Sequence, residues 1–285
     1  MNEFFETLRT IPVIRYALLA GIVASVTFGA VGTFVVTRRI SYIAAAISHA
    51  MLGGIGAAVY YSRTYDIGWL TPTLGAIVAA ILSALIIGWI SLSGFEREDT
   101  IIGAIWAAGM ASGLLFLHYS PGTAVYLESY IFGNILLTSF EDVIATLILG
   151  AVVVLTILFN YHKLVAVCFD PEFASLRGVH ARAYYILLLV LTALAMVLVV
   201  RVAGIILSLA LLILPAATVS RFVSRMWLII VGAVLLSVAY NAGGLALSFQ
   251  LDIPTGPFVV ILACLGYGIA IGAKYLLKKI PRGQP

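Results

Sequence analysis

The sequence predicts an all-α, polytopic helical membrane protein, a single transmembrane domain over residues 1–285 with about eight to nine spans. Three observations predict it. Of the 285 residues, 63% are hydrophobic and only 10% are charged, whereas a soluble domain usually has about a quarter of its residues charged. The apolar residues fall in runs of membrane length: at about 1.5 Å of rise per residue, a core of roughly 30 Å takes about 20 residues to cross. The basic residues gather in the short stretches between those runs, so the net charge of +4 reads as a topology signal. It gives no reason to expect nucleic acid as a partner; membrane lipid is the expected surrounding. Cys168 and Cys264 are far apart and show neither a disulfide framework nor metal-type spacing. Acidic and basic residues precede the first apolar run without a cleavage signature, so the N-terminus is expected to be retained.

Nine apolar segments can be drawn, at 14–36, 41–61, 71–92, 101–118, 141–159, 183–200, 204–219, 226–243 and 257–276. Several are short or broken by Gly or Pro, which keeps eight spans open as an alternative. The stretch 127–138 is too short to span and reads as re-entrant. With Arg38 and Arg39 inside, twelve of the sixteen basic residues fall on the cytoplasmic side. The expected arrangement is an external N-terminus and a cytoplasmic C-terminus.

The second segment, opening RRISYIAAAISHAMLGG, carries His49. An ionisable residue inside a membrane-length helix is costly and by default marks a pathway, a relay or an ion site. On a helix, Ala45, His49, Gly53 and Gly56 share one face with Tyr42 and Tyr60 at its ends, and small residues there admit a neighbouring helix or a substrate. The alternative is a structural imidazole that joins two helices. His118, at the end of a span, is explained by interfacial placement, and His162 and His180 belong to a solvated loop.

That loop, 160–182, is the longest hydrophilic interruption. Within it DPEFASLRG predicts a short helix: Asp170 as N-cap, Pro171 and Glu172 in the first turn, Phe173, Ala174, Leu176 and Arg177 along it, and Gly178 ending it. It is either a docking element or an amphipathic connector. Pro215 predicts a kink in the span 203–222, and 249–258 predicts a Pro/Gly-rich external loop holding Asp252.

Five stretches together, RRISYIAAAISHAMLGG (38–54), ESYIFGNIL (128–136), DPEFASLRGV (170–179), GIILSLALLILPAAT (204–218) and DIPTGPFVV (252–260), closely resemble the integral-membrane permeases of ABC importers for zinc, manganese and iron. The resemblance implies a multi-pass permease of a prokaryotic cytoplasmic membrane that transports Zn²⁺, Mn²⁺ or Fe²⁺ and binds no cofactor stably. It implies a separate ATPase engaged by residues 170–178, an extracytoplasmic metal-binding protein, and a second permease copy in a homodimer or a related heterodimer. Carried over by position, His49 becomes the candidate path residue, with Ser48, Glu128 and Asn134 as further candidates. Ala45 stands where many of these permeases have an aspartate, and Asn134 where some do.

The sequence contains no HExxH, GxSxG or GxxxxGK[ST] pattern, so an enzyme with its own nucleotide site is not expected. The rival is a secondary, proton-coupled cation transporter using His49 as a relay.

Overall fold

The computed structural model describes residues 12–94, 96–122, 133, 139–198 and 200–279. These form ten helices: α1 Pro12–Thr37, α2 Ser41–Tyr65, α3 Pro72–Ser93, α4 Glu98–His118, α5 Phe140–Phe169, α6 Pro171–Leu176, α7 Ala181–Val197, α8 Val200–Val219, α9 Met226–Leu251 and α10 Thr255–Lys279. Seven of them are long and apolar enough to cross a membrane, and two shorter apolar helices, Ala181–Val197 and Gly204–Val219, join them. The short pair is tolerated because it sits inside the bundle. Leu188, Leu189, Met196, Leu211 and Leu212 are all at most 2% exposed, so neighbouring helices, and not lipid, surround most of their length.

The helices run in alternating directions. Thr37 at the end of α1 reaches the Met226 sulfur at the start of α9, and Arg38 lies over the Tyr185 ring near the start of α7. Lys274 of α10 donates to the Arg221 carbonyl just past α8. These contacts define one end of the bundle. At the other end, Tyr16 packs on Phe140, Arg63 donates to the Pro121 carbonyl, and Ser248 bonds Thr255. Helices α1 and α2 are the most enclosed of the long spans, whereas α4 and α10 lie at the periphery. Leu147, Ile148, Leu155, Leu158 and Phe159 of α5 stay exposed, as expected for a surface that lipid covers.

Three expectations need correction. Helix α5 does not stop at 159 but continues to Phe169, because YHKLVAVCF still buries Leu164, Val167 and Cys168. The hydrophilic loop therefore shrinks to α6 and its flanks, and His162 stands exposed on a helix. Likewise α9 extends to Leu251 and closes with Asp252 in the left-handed region, leaving a short turn where 249–258 reads as a loop. In α8 the break in helical dihedrals falls at Gly204 (φ 72°, ψ 171°), with Pro215 inside the helical run. Glycine can adopt that positive φ without a steric cost, whereas proline keeps a helical φ and only withholds its N–H.

Candidate functional site

The face of α2 predicted from helical spacing is one face in the structure, and α4 covers its whole length. Tyr42 is next to Glu98. The His49 ring stacks on Trp106, centroid to centroid 4.5 Å and 12° from parallel. The backbone of Gly56 meets that of Gly113, and Tyr60 packs on Phe116 at 5.8 Å. The paired positions differ by 56 or 57 residues throughout, so α2 and α4 run parallel and in step, with α3 returning between them in sequence. The face therefore has a wall within its own chain: of the neighbouring helix or substrate that its small residues admit, it is a helix that lies there.

Glycine makes that approach possible. A Cβ on Gly113 would stand 2.5 Å from the Leu52 carbonyl oxygen and 2.6 Å from its carbon, and one on Gly56 would stand 2.5 Å from the Gly113 oxygen. A Cβ on Gly109 would collide with the Ala50 backbone. Close backbone approach through small residues is how membrane helices associate where burial from water contributes little.

His49 itself is partly buried, and its Nδ1 is buried with no hydrogen-bond partner among the described residues. A buried polar atom without a partner is costly, so it stands out as a donor or ligand atom in reserve. Ser48 is fully buried and donates to the Ala45 carbonyl at 2.7 Å, so its hydroxyl proton is already committed within the helix. Glu128 and Asn134 lie outside the described residues. Among the described residues no three His, Cys, Asp or Glu side chains converge as a metal-binding group. His118 is at the end of α4 with its ring edge-on to Tyr119, and His180 is the exposed residue before α7. Neither approaches His49. Trp106, which carries the stack, has no motif to mark it; its signal is only its position 57 residues after His49, visible once the two helices are known to be parallel.

The second site is α6. The Asp170 carboxylate accepts from the Phe173 N–H at 2.9 Å, with Pro171 in the first turn. At the other end the Val179 N–H reaches the Ala174 carbonyl and the Gly178 N–H reaches that of Ser175, with Gly178 at φ 79°. This double bond pattern with a left-handed glycine is the Schellman ending. The caps hold only six residues in a helix, a length that could not persist alone in water. Ala174 is buried against the bundle, while Phe173 and Leu176 are 51% and 87% exposed, and the Arg177 guanidinium covers the Phe173 ring at 5.2 Å. All eight predicted residues from Asp170 to Gly178 are thus gathered on one capped knob at the Arg38 end.

The model of the ABC 3 transport family matches residues 10–273. The chain belongs to that family. Two relatives show how the likeness is distributed. The manganese transport system membrane protein MntC of Halalkalibacterium halodurans is 30% identical over 95% of this chain and 90% of its own length. The high-affinity zinc uptake system membrane protein ZnuB of Haemophilus influenzae is 28% identical over 90% of this chain and 95% of its own. Among solved structures, PsaBC from Streptococcus pneumoniae in complex with Fab superposes with a TM-score of 0.83 at 30% identity, covering 94% of each chain. The permease is therefore a multi-pass membrane subunit of an ABC transporter, matched over nearly its whole length.

Proposed function

We propose that this permease imports a divalent transition metal, manganese, zinc or iron, together with an ATPase carried on another chain, an extracytoplasmic metal-binding protein and a second permease copy. The observation that carries the reading is α6: a doubly capped knob whose exposed Phe173 and Arg177 have no role within the chain's own core. A subunit without a nucleotide site must receive a mechanical input, and such a knob is the form that input takes. In this reading Asp170, Pro171, Glu172, Ala174, Leu176 and Gly178 shape the knob, and Phe173 and Arg177 meet the ATPase.

His49 would face the metal as it passes, with its Nδ1 available as a nitrogen ligand and Ser48, Glu128 and Asn134 as oxygen donors. One imidazole with oxygen donors suits manganese, iron or zinc, and a sparse donor set suits a carrier that must release its ion. The relatives' names include both manganese and zinc. For the proton-coupled alternative, His49 has no carboxylate to exchange protons with among the described spans: every acidic residue among those described sits at or beyond a helix end, as Glu98, Asp99, Glu141 and Asp142 do.

Reconstitution tests the proposal. The permease in proteoliposomes with its ATPase and metal-loaded binding protein should take up ⁵⁴Mn²⁺ or ⁶⁵Zn²⁺ only when ATP is supplied to the ATPase. Uptake driven by a proton gradient without the ATPase would overturn it.

A further inference from the structure

A cleft of about 780 Å³ opens at the Arg38 end, between the α1–α2 turn, the adjoining ends of α3 and α4, and the corner where α6 meets α7. It lies on the bundle side of α6, and neither Phe173 nor Arg177 lines it. Its walls carry three arginines, Arg38, Arg39 and Arg182, and two glutamates, Glu98 and Glu172. Glu98 is already engaged with the hydroxyls of Tyr42 and Tyr185, and Arg38 rests on the Tyr185 ring at 5.8 Å. Arg39 and Arg182 have no carboxylate partner among the described residues.

Arg39 is a further departure. It sits at φ 61° in the turn after α1, the only arginine among the three described non-glycine residues with positive φ; the others, Asp66 and Asp252, are aspartates. Aspartate tolerates that region, but a longer side chain is strained there, and glycine would make the turn freely. The left-handed turn closes α1, with the Ile40 N–H on the Val35 carbonyl and the Arg39 N–H on that of Val36, and it carries the Arg39 side chain to the cleft wall.

We infer that this cleft binds the phosphodiester of an anionic glycerophospholipid headgroup, held by Arg39 and Arg182. Three guanidinium groups against two carboxylates leave one positive charge, which a single phosphodiester balances. Guanidinium is the side chain that matches phosphate oxygens in paired hydrogen bonds. The cleft lies at the level where α1, α3 and α5 end and their apolar surface gives way to charged residues, and basic pockets between spans at that level take lipid headgroups. The apolar side chains of Leu92 and Leu176 in the same cleft offer a surface to the glycerol and first methylenes. A headgroup so placed would brace α6 against the bundle from behind.

The same phosphate chemistry could come from dissolved phosphate, and a segment of the ATPase is the competing macromolecule; the experiment separates all three. The full-length permease is placed in nanodiscs of phosphatidylcholine with phosphatidylglycerol, released into detergent and weighed by native mass spectrometry. One phosphatidylglycerol retained per chain is expected. Each arginine near an anionic headgroup contributes about a fivefold factor, so Arg39→Gln with Arg182→Gln should weaken retention about twenty-five-fold. Arg225→Gln, outside the cleft, should leave retention unchanged. If the double variant does not fold, Arg182→Gln alone carries the test at about fivefold. Equal retention by wild type and the cleft variants overturns the inference. So does release of the lipid by millimolar inorganic phosphate, which makes the site one for a soluble anion, or by the ATPase subunit, which makes the cleft a protein interface.

Discussion

Replacing Gly113 by alanine tests the α2–α4 contact with the smallest possible change. The added methyl would lie 2.5 Å from the Leu52 oxygen and 2.6 Å from its carbon, against about 3.4 Å for ordinary contact, so the two helices must part by about 0.9 Å. Both obstructing atoms are backbone, which cannot rotate aside. Overpacking of this kind costs about 1–3 kcal/mol. Alanine's better helix propensity returns up to about 1 kcal/mol, which leaves a net loss of up to about 2 kcal/mol, and a gap to a contact-free Gly→Ala change of about 1–3 kcal/mol. Gly103 on the same helix supplies the control, since nothing lies within 4 Å of its Cβ position; Gly103→Ala should be neutral or mildly stabilising. The assay is reversible unfolding in mixed micelles, followed by metal uptake per folded molecule in the reconstituted transporter. Because Trp106 rides on α4, a displaced helix loosens its stack on His49, and uptake should fall together with stability. If Gly113→Ala is as stable and as active as Gly103→Ala, the close packing of α2 on α4 does not shape the site.

Further outcomes are expected elsewhere in the chain. His49→Ala should lower uptake strongly with little loss of folded protein, since the imidazole makes no hydrogen bond through Nδ1; uptake at the wild-type rate would make His49 structural. Phe173→Ala should leave the permease in the membrane but uncouple ATP hydrolysis from uptake, checked by comparing the two rates in one preparation. Asp170→Ala should cost about 1 kcal/mol through the lost cap and weaken ATPase pull-down more than it weakens folding. Cysteines introduced at Asp66 and Gly94, after replacing Cys168 and Cys264, should label from opposite sides of the membrane, Asp66 from outside.

What could be read from the sequence follows the range of the interaction involved. Helix α6 was legible to the residue because its determinants are local: a carboxylate three residues before an N–H, a proline in the first turn, a glycine at the end. The composition of the α2 face was equally legible, since Ala45, His49, Gly53 and Gly56 need only helical periodicity to align. Its partner was not. Small residues state that something comes close without stating what, and the partner glycines lie more than fifty residues on in α4. The misplaced ends share a different cause. The turns of α5 beyond 159 and of α9 beyond 243 are less purely apolar, so a hydropathy reading truncates them, yet Leu164 and Leu245 still have neighbouring helices to bury against. At α8 the proline was the louder signal, but a proline within a helix keeps its φ, and only a residue without a Cβ could take the dihedrals that break it.

The placement of charge connects the two sites. Within the described spans the protein keeps carboxylates out of the interior and puts its one buried unpartnered ring nitrogen on the α2 face, next to the peripheral helix α4. Helix α4 begins at Glu98, beside the cleft that α6 helps to enclose. If α6 receives the ATPase's push as proposed, that push would reach Trp106, and through its ring His49, from the cleft along α4. Helix α4 packs on α2 and α3 at the periphery, so a shift of α4 leaves the packing of α1, α7 and α8 on one another in place. On this account Trp106→Ala should separate coupling from affinity: metal-stimulated ATP hydrolysis should persist while uptake per ATP falls, because α4 still moves but no longer carries His49 with it. Equal loss of both rates would mean that Trp106 serves only to fold the α2–α4 pair.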